Sequence, residues 1–300
     1  MPSAVSPSLV ACLAAVVTAL AAAVGAVLAR GSTAVPAAAW AAVAAATLAC
    51  EMGCRAAGGL VDPSASAAAR LCVAALALCP TMSLLGAKRP QHGVWQFIVA
   101  SLAVVLAMPA ISATLVRPGT LPDIHVLQRG LMLVVAVVGW MNFIGTRNAV
   151  AATFVAAGQL VLMRPLFSSA AATAGPAGGA EAAAAVAIAA GSVLAAAQAA
   201  RAARVPRSAA AGIAACIDGP FLAVRELLGA AWTLRIAERF NAIAAARGWP
   251  ARLHFGGLQA DGEPGGDAGA AGWHRDAVRA FRALVRRFVT PAWLRRHGWL

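Results

Sequence analysis

"WQFIVASLAVVLAMPAISATLV", residues 95–116, runs for 22 residues without a charged side chain. A hydrocarbon core of roughly 30 Å is crossed by about 20 mainly apolar residues in a helix, so this stretch reads as a membrane span. Trp95 opens it, where an interfacial aromatic is expected. Working outward, six further segments fit the same reading, near 9–28, 34–52, 69–87, 129–145, 149–167 and 182–200; with 94–116 they make about seven spans. Gly145-Thr146-Arg147-Asn148 is short enough for a helical hairpin between the fifth and sixth. The last is mostly alanine and is bounded by Glu181 and Arg201. The first is a retained span rather than a cleaved leader, because residues 1–10 lack Lys and Arg and the apolar run exceeds a leader's core.

Composition agrees with a membrane protein. Hydrophobic residues make up 61% and charged residues 12%, against about a quarter charged in ordinary soluble chains. Charge is divided unevenly: residues 1–200 hold nine Lys/Arg and four Asp/Glu, residues 201–300 fifteen Arg and seven Asp/Glu. The expected organisation is therefore a transmembrane domain over 1–200 and a basic, mainly helical cytoplasmic tail over 201–300, with a flexible loop near 261–272. The fold class is all-α, a polytopic helical bundle with a small C-terminal module.

Orientation follows from basic residues, which favour the cytoplasmic side. None precedes the first span, and the Arg-rich tail follows the last, so an odd number of spans puts the N-terminus outside and the tail inside a bacterial-type cytoplasmic membrane. The short loops alone do not decide. Arg30, Lys88, Arg89 and Arg147 face Arg55, Arg70, Arg117, Arg129 and Arg164, four against five. Six spans with both ends inside is the alternative.

Lys88 is the only lysine of the chain and stands in a polar turn with Arg89, Gln91 and His92. Basic residues beside spans ordinarily anchor helix ends and set topology. The sharper reading is an anion site, in which Lys88, Arg89 and His92 meet a phosphate headgroup. Glu51 and Arg55 are spaced for an i,i+4 ion pair at a helix end. Asn142 and Gln159 are placed to hydrogen-bond across the fifth–sixth hairpin. Six cysteines leave a Cys54–Cys72 disulfide open but show no zinc or haem-attachment pattern. Asp123 and His125 fall short of a metal site.

In the tail, a helix is expected from about Phe221 to Arg247; its apolar stripe drifts, so either it meets two surfaces or it breaks near Leu234. Arg235, Glu238, Arg239 and Asn241 read as a self-paired surface. "PARLHFGGL" (250–258) suits a short strand or turn. "WHRDAVRAFRALVRRFV" (273–289) is strongly amphipathic, with Arg275, Arg279, Arg282 and Arg286 in a stripe beside the apolar face. Thr290-Pro291 fits an N-cap followed by proline at the first helical position. The arginine stripe is expected to meet anionic headgroups of the bilayer. Nucleic acid is not expected, for want of any binding motif.

No paired carboxylates, nucleophile constellation or phosphate loop points to catalysis, a metal or a cofactor. The leading expectation is a non-enzymatic accessory or scaffold subunit whose tail docks on anionic lipid or a protein partner. The alternative is a membrane enzyme or carrier that takes an anionic, lipid-linked substrate at Lys88, Arg89 and His92.

Overall fold

The computed structural model describes residues 6–86, 92–167, 178–204, 213–260, 268–297 and 299. The chain is all-α apart from one hairpin. In order come α1 (Pro7–Leu28), α2 (Val35–Ala56), α3 (Pro63–Leu85), α4 (His92–Ile111), α5 (Val126–Met141), α6 (Ala149–Phe167) and α7 (Gly178–Arg204). They are followed by α8 (Ile213–Leu228), α9 (Ala230–Arg247), β1 (Ala251–His254), β2 (Gly257–Ala260), α10 (Ala268–Val285) and α11 (Pro291–Arg296).

Local chemistry explains the helix starts. Proline lies in the first turn of α1, α2, α3 and α11, where a missing N–H costs nothing and the fixed φ suits the helix. Asp62 caps α3 by accepting from Ala65 N at 3.0 Å, and His125 caps α5 by accepting from Leu127 N at 3.3 Å. α4 passes Pro109 and ends in a π-helical turn, Ser112–Val116.

Among the described residues six helices are long and apolar enough to cross a membrane: α1, α2, α3, α4 with its π turn, α6 and α7. α5 is apolar but has 16 residues, about 24 Å of helix, short of a full hydrocarbon core. The expected fifth span, 129–145, thus extends four residues past the end of its helix.

Neighbour relations close a ring: α1 packs on α2, α2 on α3, α3 on α6, α6 on α7, and α7 back on α1. α5 flanks α3 and α6, and α4 lies outside α3. α3 is the innermost member, with 61% of its most apolar window buried against 28–33% for the other five long helices. Reciprocal glycines seat α6 on α7. A Cβ on Gly158 would meet Ala184 O at 2.6 Å, and one on Gly191 would meet Ala151 O at 2.6 Å. Small residues that let backbones approach are what holds apolar helices together in lipid, where no hydrophobic drive separates one greasy surface from another.

α8–α11 build their own core on Phe221, Phe240 and Phe281, at most 1% exposed, with Phe281 set at steep angles to the other two. The core continues into the bundle through Ala29, Ala34 and Leu84. Hydrogen bonds tie the two parts together. Trp232 Nε1 donates to Leu84 O at 2.9 Å, Thr33 N to Phe288 O at 2.8 Å, and Thr290 N to Gly31 O at 2.7 Å. The α1–α2 turn, the end of α3 and the α5–α6 turn therefore share one end of the bundle, the end that carries this module.

Several tail expectations change. The helix expected over 221–247 is two helices, and the break is at Gly229 (φ 78°), not Leu234. "PARLHFGGL" forms most of an antiparallel hairpin. α10 begins at Ala268, inside the stretch 261–272 expected to be a loop; residues 261–267 lie outside the described ones. Thr290 does cap α11, accepting from Trp293 N at 3.1 Å.

Candidate functional site

The helix ring is filled at one end and hollow at the other. At the end away from the module, Ala11, Ala14 and Ala15 of α1 and Ala182, Ala184, Ala185 and Ala189 of α7 are buried in a small core with Leu48, Val73 and Leu162. Towards the module the same two helices turn Thr18, Ala21, Gly25, Ala195 and Ala199 onto a cavity of about 400 Å³. Alanine makes this cavity. Its side chain is too short to fill the centre of a five-helix ring, so the walls stay apart where larger residues would have met.

The wall is apolar, and its polar groups are mostly satisfied within the protein. Thr18 donates to Ala14 O at 3.0 Å, and Gln159 Nε2 donates to Ala77 O at 3.0 Å. Gln159 thus bonds to α3, not to Asn142 across the hairpin as its sequence position suggests. Glu226 and Leu227 of α8 close the module end. The Glu226 carboxylate accepts from Arg147 N at 2.7 Å and pairs with Arg225 at 2.8 Å. Asn148 is the exception: its Nδ2 donates to Glu226 O at 2.9 Å, while its Oδ1 is buried on the wall without a partner.

The other end of the ring carries four charges. Glu51 Oε1 stands 3.0 Å from Arg55 and 2.8 Å from Arg70, and Glu181 binds Arg55 at 3.2 Å and Arg70 at 3.0 Å. Two guanidiniums and two carboxylates alternate, so the cluster is formally neutral. Glu51 and Arg70 are 4% and 3% exposed, and at such depth neither tolerates loss of its partners. Leu48 and Val73 lie one helical turn below, between the ions and the cavity. The expected Glu51–Arg55 pair is present. What the sequence did not signal is that Arg70, an apparent span anchor, and Glu181, an apparent helix boundary, complete it.

The expected anion sites fare unevenly. Lys88 and Arg89 lie outside the described residues, and His92 begins α4. Arg275 is exposed on α10 and Arg286 just past its end; Arg279 faces Asp276 at 3.6 Å, and Arg282 donates to Trp299 O at 3.2 Å. Arg282 is half-buried and turned onto the chain end, so the stripe is not a uniform surface. The Arg235, Glu238, Arg239 and Asn241 set does not pair with itself among the described residues. Arg235 lies over the Trp232 ring, 5.3 Å from its centroid, and Asn241 exchanges two hydrogen bonds with Leu253 of β1. All six cysteines are free, so no Cys54–Cys72 bridge is present. Among the described residues no group of three His, Cys, Asp or Glu is placed to hold a metal. No family model, curated protein or solved structure matches the chain.

Proposed function

We propose that the chain is a multi-pass membrane protein that binds a lipid-like molecule inside its helix ring, with the basic module lying against the cytoplasmic face of the bilayer. The alanine-walled cavity carries this reading. It is half open, its wall is mostly apolar, and its volume of about 400 Å³ falls in the range of small-molecule sites. Asn148 Oδ1 adds one acceptor for a hydroxyl or amide at the module end of such a ligand.

The cytoplasmic placement of the module is supported by its charge and by the ion cluster. Arg70 is buried in the bundle and Arg55 is shared between two carboxylates. Of the five arginines that argue for the opposite orientation, three are left outside the cluster: Arg117 in a loop, and Arg129 and Arg164 in the end turns of α5 and α6. Binding without catalysis also suits an accessory role in a larger assembly. Turnover at Lys88, Arg89 and His92 is the competing reading, and Lys88→Ala separates the two, since it leaves cavity occupancy unchanged.

The test is native mass spectrometry and lipid extraction of protein purified in mild detergent. Wild type is expected to retain an apolar molecule. Ala41→Phe with Ala195→Phe, which fill the cavity from α2 and α7, should release it while thermal stability is kept. Equal content in both proteins, or none in wild type, would overturn the reading.

A further inference from the structure

Three arginines of the module line one groove with no carboxylate within 4.0 Å among the described residues, and we infer that this groove takes the phosphate of an anionic lipid headgroup. The groove holds about 90 Å³ between α9 and the turn that ends α10, with the exposed Arg235, Arg239 and Arg287 at its rim and the buried Trp232 and Phe288 at its floor. The two floor rings lie 5.1 Å apart, and Arg235 is held 5.3 Å over the Trp232 ring. None of the three arginines has an acidic group within 4.0 Å among the described residues, whereas Arg225, Arg247 and Arg279 each do. A guanidinium triad over an apolar floor is the chemistry that binds phosphate oxygens, through several forked N–H donors and a weakly hydrated cation.

Depth selects the source of that phosphate. The floor is tied to the helix ends: Trp232 Nε1 bonds Leu84 O at the end of α3, and Phe288 O accepts from Thr33 N at the α1–α2 turn. The groove therefore sits at the level where spans meet headgroups; the inference rests on the module lying at the bilayer surface. Leu234, beside Arg235 in sequence, is 53% exposed and the sole strongly exposed large apolar side chain of the described module. A leucine with an adjoining arginine is suited to a boundary where acyl chain gives way to phosphate. None of the stripe residues Arg275, Arg279 and Arg286 lines this groove, and Arg279 already faces Asp276.

The experiment counts lipids retained by the full chain in native mass spectra after exposure to mixed micelles of phosphatidylglycerol or phosphatidylcholine. Wild type should prefer phosphatidylglycerol. Arg235→Gln with Arg239→Gln and Arg287→Gln should lose about tenfold or more of that preference, at about fivefold per basic group near an anionic surface. Arg275→Gln with Arg279→Gln and Arg286→Gln should keep it. All six are solvent-facing positions, and Arg→Lys at the three groove positions checks that charge alone does not suffice. The inference is overturned if the groove variant keeps the preference or the stripe variant loses as much. It is overturned as to source if millimolar inorganic phosphate binds wild type in plain detergent and displaces the lipid. The cavity-filled protein distinguishes the two proposals: it should lose the interior ligand and keep the phosphatidylglycerol preference.

Discussion

Glu51 carries two guanidiniums on one carboxylate oxygen, Arg55 at 3.0 Å and Arg70 at 2.8 Å, with its own side chain 2% exposed. Breaking a buried pair by removing one partner costs about 3–5 kcal/mol, because the charge left behind stays buried. Glu51→Ala should therefore lower stability by that amount, read as a fall in melting temperature in detergent. Replacing both members by apolar residues of similar volume should be far milder. Glu51→Leu with Arg70→Met leaves Arg55 and Glu181 paired at 3.2 Å, net neutral, and is expected within about 1 kcal/mol of wild type. If the double variant is no better than Glu51→Ala, the cluster is not held by charge balance. Half of this cluster was legible beforehand. Glu51 and Arg55 are one turn apart on one helix, and that spacing pairs them in any fold. Arg70 and Glu181 were hidden because their positions at the ends of apolar runs have an ordinary meaning, and only the closure of α7 against α1 and α6, which brings Glu181 to Arg55 and Arg70, gives them another.

At the scale of elements, the apolar runs predicted the long helices because hydrocarbon length dictates helix length whatever the neighbours are. Helix contacts were not predictable in that way. α7 has a composition that would also suit a soluble alanine-rich helix, yet it closes the ring against α1 and α6. What fixes its seat on α6 is the glycine pair. A Cβ on Gly191 would lie 2.6 Å from Ala151 O and 2.9 Å from Val155 Cγ2, and one on Gly158 would lie 2.6 Å from Ala184 O. Backbone carbonyls cannot swing aside, so even a methyl forces the helices apart. Gly158→Ala and Gly191→Ala are each expected to cost about 1–3 kcal/mol as overpacking. The pair should cost less than the sum, because the first separation relieves the second; thermal unfolding of the two single variants and the double variant measures this. Strict additivity would mean that the helices do not meet at these glycines. The break between α8 and α9 teaches the same lesson. Drift of the apolar stripe left either two contact surfaces or a break near Leu234, but the break is at Gly229, which adopts φ 78° and whose missing Cβ leaves room for Asn142. A contact from the other half of the chain decides where the helix stops.

At the scale of the molecule, Asn142 joins two parts that composition separates. It reads as a polar residue inside a span, and polar residues there usually bond to the next helix. Instead α5 ends at Met141, and Asn142 reaches the module. Its Nδ2 donates to Leu228 O at 2.9 Å, its Oδ1 accepts from Ala231 N at 3.0 Å, and its carbonyl accepts from Ala230 N at 2.6 Å. It thus bonds groups at the end of α8 and the start of α9, which helices leave without internal partners. Asn142 is buried, so Asn142→Ala strands two backbone groups away from water, at about 1–3 kcal/mol for each unsatisfied group. The consequence should be local. Hydrogen exchange at residues 228–233 is expected to quicken by tenfold or more, while α1 and α2, whose turn is tied to the module separately through Thr33 and Gly31, keep their protection. A uniform rise across the bundle would instead make module and ring one cooperative unit. The cavity would then depend on the module for its walls as well as for its lid at Glu226 and Leu227.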